Sequence, residues 1–467
     1  MADSVVHPGR SFTAEMARFI SRLNYAALPA AVTARLKLLI LDALGCGLYG
    51  AGLPWSRMLR GTLCDLDESR SCSLWGTPLR SSAPHAALVN GTQVQGFELD
   101  DVHRAGVLHV GAVVLPALVA VAEIRRGLSG REFLAAAAAG YEVGPRVGLC
   151  MGPEHIAQGW HSGATVGVFA AAAAAARALR LDDGKTVHAL GIAGTQSAGL
   201  MAAQYGAMVK RMHAGRAAQS GFYGAVLAEA GFTGILDVFE TAYGGFCTTF
   251  SRSHDRFDLE RLVEGFGDRW HILGVSLKMY ACVASNHTTL DALREMRAGH
   301  PFAAGEVERV VVRASQVTVE HAGWKYVPRG LTSSQLNLSY CAATLLLEGE
   351  CFVDQFSEST VDDPARLELA ARIEVVHDPA ITARGAEFRH MVHVEVTLRD
   401  GTLLRRTVEA PRGSERHFAA DAEIIAKFER LAGAALGPRQ VTVLRDLVLH
   451  LEDVEDAGAL AGALAAA

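Results

Sequence analysis

Apolar residues recur at helical spacing from the start of the chain. Phe12, Met16, Phe19, Ile20 and Leu23 fall at i, i+4, i+7, i+8 and i+11, one face of an amphipathic helix. Val32, Leu36, Leu39, Ile40 and Ala43 repeat the pattern. Two later stretches, Ala135 to Ala139 and Ala170 to Ala176, are alanine on every side. Alanine has the highest helix propensity and lets backbones approach closely, and a helix apolar all round is buried. These stretches predict central helices of a large all-helical domain.

The period changes after roughly residue 265. Val307, Val310, Val311, Val312, Val317 and Val319 predict strands. Met391 to Leu398 and Thr402 to Val408 alternate on either side of Arg399-Asp400-Gly401, the pattern of a β-hairpin. Between these regions Ser334 to Leu347 reads as a helix, and Asp421 to Leu431 and Glu455 to Ala466 read as helices again. The expected fold is mainly α. A helical domain covers 1–266, a smaller α+β domain with an antiparallel sheet covers 267–408, and C-terminal helices over 409–467 return to the helical domain.

Composition narrows the function. The chain has 467 residues, half of them hydrophobic and 20% charged, with a formal net charge of -6. That balance and the absence of like-charge blocks argue against nucleic acid as a partner. The evenly charged start, through Asp3, Arg10, Glu15, Arg18 and Arg22, is unlike a signal peptide, and the longest apolar run, Ala164 to Ala176, stops at Arg177 short of membrane length. The eight cysteines show no CxxC and no regular spacing, which reads as reduced thiols in a cytoplasmic protein. Gly45-Cys46-Gly47-Leu48-Tyr49-Gly50 matches GxGxxG but follows a helix rather than a strand, so it reads as close helix packing. Walker A, GxSxG and HExxH motifs are absent.

The chemistry concentrates in a few segments. Between Glu98 and His109, twelve residues hold Glu98, Asp100, Asp101, His103 and His109 and then run into Gly111-Ala112-Val113-Val114-Leu115-Pro116, the start of a buried helix. Charged groups at such a rim are costly unless paired or used. Gly159-Trp160-His161-Ser162-Gly163 puts His161 near the N-terminus of the alanine-rich helix. Met208 to Arg216 brings Lys210, Arg211, His213 and Arg216 just before another helix, where free N–H groups and the helix dipole add to an anion site. Lys278-Met279-Tyr280-Ala281-Cys282 lies near the domain change, and Tyr340 near the start of the helix in the smaller domain. Cationic groups beside imidazoles and carboxylates suit proton abstraction α to a carboxylate, where fixed cations meet the developing charge.

Together these segments resemble the MmgE/PrpD family, the group of 2-methylcitrate dehydratases, cis-aconitate decarboxylases and an iminodisuccinate epimerase. The likeness is clearest in Glu98 to His103 with His109, in Gly159-Trp160-His161, in Lys210 through Gln219 and in Gly231-Phe232-Thr233-Gly234. The resemblance implies a helical domain with an α+β lid, a homodimer, and no metal or organic cofactor. It implies catalytic roles for Glu98, Asp101, His109, His161, Lys210, Lys278 and Tyr340, with His213, Arg216 and His103 assigned to substrate binding. The expected partner is a small polycarboxylate, with no nucleic acid and no membrane. The expected reaction is dehydration of a 2-methylcitrate-like hydroxy acid, because Val283 stands near where decarboxylases carry a histidine. Alternatives are epimerisation of a dicarboxylic acid such as iminodisuccinate, cis-aconitate-type decarboxylation, a metal-dependent hydrolase using Asp100, Asp101, His103 and His109, and a non-catalytic acid-binding protein.

Overall fold

The computed structural model describes residues 10–205 and 207–466. The chain divides into two compact units. Unit 1 comprises 1–96, 100–276 and 420–467, and unit 2 comprises 97–99 and 277–419.

Unit 1 is helical nearly throughout. Its elements begin with α1 (Phe12–Arg22), α2 (Ala30–Gly50), α3 (Pro54–Leu66), β1 (Cys72–Ser73), β2 (Arg80–Ser81), α4 (Ala83–Val94), β3 (Val102–His103), α5 (Val110–Ile124) and α6 (Gly130–Met151). They continue with α7 (Glu154–Ala157), α8 (Ser162–Thr165), α9 (Gly167–Ala178), α10 (Asp183–Gly194), α11 (Val209–Glu229), α12 (Phe246–Ser251) and β4 (Val275–Ser276). The apolar face read from Phe12, Met16 and Ile20 is fully buried, and so are Ala135–Ala139 of α6 and Ala170–Ala176 of α9. Small side chains on α6 and α9 let the helices at the centre lie close. Glycine does the same where α4 crosses α11: a Cβ on Gly215 would stand 2.0 Å from the Leu88 carbonyl oxygen. The GxGxxG match lies inside α2, as its helical context implied.

Unit 2 holds α13 (Ala284–Gly299), β5 (Val307–Ala314), α14 (Gln316–Ala322), α15 (Leu331–Leu336), α16 (Leu338–Glu348), α17 (Pro364–Ala370), β6 (Ile373–His377), α18 (Pro379–Ala383), β7 (Val392–Leu398) and β8 (Leu403–Val408). Its four strands order as β6-β5-β7-β8. The hairpin β7–β8 is antiparallel around Arg399-Asp400-Gly401, with Gly401 at φ 88°. The sheet is mixed rather than wholly antiparallel, because β6 pairs parallel to β5 through an intervening helical crossover. Val317 and Val319 belong to α14, not to a strand; Ser315 accepts from the Thr318 N–H and starts the helix. The single helix expected over Ser334 to Leu347 is two, since Asn337 takes an extended conformation and caps α16 through the Tyr340 N–H.

The C-terminal segment of unit 1 carries α19 (Asp421–Ala432), α20 (Pro438–Leu449) and α21 (Ala459–Leu464), and α19 packs on α2. Among the described residues no single helix is long and apolar enough to cross a membrane; the bent pair α2 and α3 passes on length and composition only.

Candidate active site

The acidic segment is shared between the units. In unit 1, α5 begins at Val110, and its N-terminal turn is capped from upstream: the Gly111 N–H donates to both oxygens of Asp101, at 3.0 and 3.1 Å. The Tyr141 hydroxyl donates to the same carboxyl at 3.1 Å. Asp101 is wholly buried, and burial together with the neighbouring Asp100 pushes its pKa up to about 8 despite these donors. Through these contacts Asp101 holds the loop and the helix start together.

Asp100 points elsewhere. Its Oδ2 lies 3.0 Å from Nδ1 of His109, with the carboxylate 1% and the imidazole 19% exposed. The approach is close but makes no aligned hydrogen bond. His109 precedes Val110 and so stands at the N-terminus of α5. A third carboxylate, Asp42 of α2, meets Lys427 of α19 at 2.6 Å, with both side chains buried. Burial works against the Lys427 charge, and Asp42 outweighs it. Sequence reasoning passed over Asp42 and Lys427, and gave Asp100 a role only as a ligand in the metal-dependent alternative.

The loop between Asp101 and His109 is a tight turn in which His103 and Leu108 exchange backbone hydrogen bonds. Val107 sits at φ 49°, a left-handed conformation rare for a β-branched residue. The Gly106 N–H donates to Nδ1 of His103 at 3.0 Å, and the His103 ring meets His271 edge-on. His103 therefore shapes the turn, which departs from its expected role on substrate. The proposed metal set of Asp100, Asp101, His103 and His109 fails for the same reasons: two of its four members are committed to backbone N–H groups.

A second cluster in unit 1 joins two distant segments. Residues 159–161 pair antiparallel with 199–201, which sets His161 just before α8. His213 comes from the second turn of α11, and the two Nδ1 atoms approach to 3.0 Å. Both rings are buried. Two Nδ1 atoms at this distance share one proton, one donating and the other accepting. Burial, and then the charge of Lys210, pushes the His213 pKa below the usual histidine value. The residues from Lys210 to Arg216 lie within α11 rather than before it, since the helix starts at Val209. Arg211 is buried over the Trp55 ring, with 5.6 Å from its Cζ to the ring centroid. Arg216 is exposed and donates to Gln219.

Unit 2 holds a buried ion pair of its own. Lys278 Nζ stands 3.2 Å from Glu98 Oε2, with both side chains about 5% exposed. Glu98 has φ 56°, a left-handed backbone that costs roughly 1–3 kcal/mol and is concentrated at functional sites. Tyr340 is fully buried; its hydroxyl donates to the Thr360 carbonyl at 2.6 Å and accepts from Arg366 at 3.2 Å. Those bonds make Tyr340 part of the unit 2 core. A cleft of about 440 Å³ in unit 1, lined by Arg18, Phe19, Phe266 and Trp270, contains none of the imidazoles.

The MmgE/PrpD N-terminal domain matches residues 14–258, and the MmgE/PrpD C-terminal domain matches 280–453. A cis-aconitate decarboxylase-like protein of Aspergillus oryzae is 35% identical, over 97% of both chains. The cis-aconitate decarboxylase of Aspergillus terreus is 32% identical over 97% of this chain and 96% of its own length. The human cis-aconitate decarboxylase is 28% identical over 97% and 94%. Matched along both halves and over nearly all its length, the chain belongs to the MmgE/PrpD family and is an enzyme of the lyase class.

Proposed function

We propose that the protein is a carboxy-lyase acting on an unsaturated tricarboxylate of the cis-aconitate type. The observation that supports this most is the pair of buried imidazoles, His161 and His213, 3.0 Å apart beside the first turn of a helix that carries Lys210. The names of the most similar relatives supply the substrate class.

The reaction asks for two things. In a β,γ-unsaturated acid the bond to the departing carboxylate breaks, its electron pair forms a new C=C, and the old C=C pair moves to the carbon beside a second carboxylate. Carbon dioxide leaves, and a proton must reach that carbon. The imidazole pair is suited to deliver it, because an imidazolium whose pKa is held down by burial and by Lys210 gives up its proton readily. Lysine side chains hold the remaining carboxylates and meet the negative charge as it spreads; Lys210 and Lys278 are assigned to this. His109, held by Asp100, is the second candidate acid. Val283, where decarboxylases carry a histidine, then has its task taken by the pair.

Dehydration of a 2-methylcitrate-like acid draws on the same proton transfer and is the competing outcome. The test is NMR in D₂O with purified protein and, separately, cis-aconitate, 2-methylcitrate and iminodisuccinate. Carbon dioxide release with one deuterium bound to carbon is expected from cis-aconitate. Water loss from 2-methylcitrate without decarboxylation of cis-aconitate would overturn the proposal in favour of dehydration. Deuterium exchange into iminodisuccinate alone would point to epimerisation.

A further inference from the structure

We infer that Cys282, Cys341 and Cys351 form a binding site in unit 2 for a soft, thiophilic metal cation of the monovalent copper type. Their sulfur atoms all lie within 4.8 Å of one another, and all three side chains are buried. The sequence offers no metal-ligand spacing here, because the three come from separate places: the segment before α13, the first turn of α16 and the loop after it. The backbone holds them, with the Ala281 N–H donating to the Cys351 carbonyl at 3.1 Å and Gln335 donating to the Ala281 carbonyl at 2.9 Å.

A second observation points to a ligand. Asn286, in the first turn of α13, is fully buried, and neither its amide nitrogen nor its oxygen has a hydrogen-bond partner. It faces Cys341, where its amide favours the thiolate form. A thiolate bound to a metal would accept a hydrogen bond from this amide. Three-sulfur sites select soft cations. Binding would follow M⁺ + 3 RSH → [M(SR)₃]²⁻ + 3 H⁺, with no change of oxidation state. Two cations lie close enough to act on this charge, Lys278 on Cys282 and Arg366 on Cys351, although each also pairs with a carboxylate, Glu98 and Glu348. Uptake is expected to be slow, since the sulfurs have no open path to solvent.

The inference stands apart from the lyase reading. The reduced full-length protein is titrated anaerobically with Cu(I) against a chromophoric Cu(I) chelator and allowed to equilibrate overnight. One Cu(I) per chain, taken from the chelator, is expected. Cys341→Ser and Cys351→Ser lose it, and Cys64→Ser keeps it. Should the variants not fold, X-ray absorption on the loaded wild type decides: a first shell of three sulfurs supports the site, and nitrogen ligands place the copper on histidines instead. No uptake, or uptake unchanged in the folded serine variants, overturns the proposal.

Discussion

Asp100 and His109 stand 3.0 Å apart, carboxylate to Nδ1, at the N-terminus of α5. The carboxylate sets which ring nitrogen of His109 faces outward. Asp100→Asn should lower kcat on the order of 10²-fold with KM little changed and the melting temperature near that of the wild type. Turnover equal to wild type would remove His109 from the proton-transfer step.

The pH dependence of stability follows from Asp101. Its pKa is about 8 in the folded protein, against about 3.9 in the unfolded chain. Between those values the unfolded state has lost the proton and the native state keeps it. Stability therefore falls as pH rises from about 4 to about 8, by at most about 1.4 kcal/mol per pH unit from this group, and levels above that. Asp101→Asn should flatten the slope, measured as the urea midpoint at a series of pH values. An unchanged slope in the variant would assign it to another group.

The imidazole pair has its own signature. His213 lies below the usual histidine range because it is buried and because Lys210 is near. Because the pair delivers a proton, its protonated form is the active one, and the alkaline limb of kcat/KM should accordingly lie below the usual histidine value. Lys210→Met should move that limb upward while lowering kcat/KM. His213→Gln should cost roughly 10²–10⁴-fold in kcat. A limb that stays in place in the lysine variant would separate His213 from the rate.

Packing at the α4–α11 crossing constrains the same histidine. A methyl at Gly215 would meet the Leu88 oxygen at 2.0 Å and the Thr92 Oγ1 at 2.6 Å. Because the nearest atom is backbone, the helices must part. Gly215→Ala should destabilise by about 1–3 kcal/mol and, by shifting His213 two residues away, lower kcat more than KM rises. Native stability by denaturant melts would refute the crossing.

What the sequence disclosed, and what it hid, divides by the range of the interaction. Helical periodicity around Phe12 and the alanine runs needs only neighbours a turn away, and those helices stand where the pattern places them. The β7–β8 hairpin is equally local. Val317 and Val319 misled because alternating β-branched residues resemble a strand until Ser315 caps a helix ahead of them. The parallel partner β6 is short and separated from β5 by helices, so no local pattern announces it. In the site, His161 and His213 were legible as unusual imidazoles, yet their contact was not. Asp42 and Lys427 were invisible because each is an ordinary charge until the fold buries both.

The pair Lys278 and Glu98 separates a structural role from a chemical one. Both side chains are buried and pair with each other, so Lys278→Met takes a counter-charge away from Glu98 and should cost about 3–5 kcal/mol. Loss of activity in that variant alone would therefore say little. The double variant Lys278→Met with Glu98→Gln removes both charges and should recover most of the stability, since a buried ion pair replaced on both sides is often neutral. If Lys278 meets substrate charge, turnover in the double variant stays low although the protein is folded. If the pair only holds the segment in place, turnover returns with stability. Melting temperature and kcat/KM measured together on the two variants decide between these outcomes.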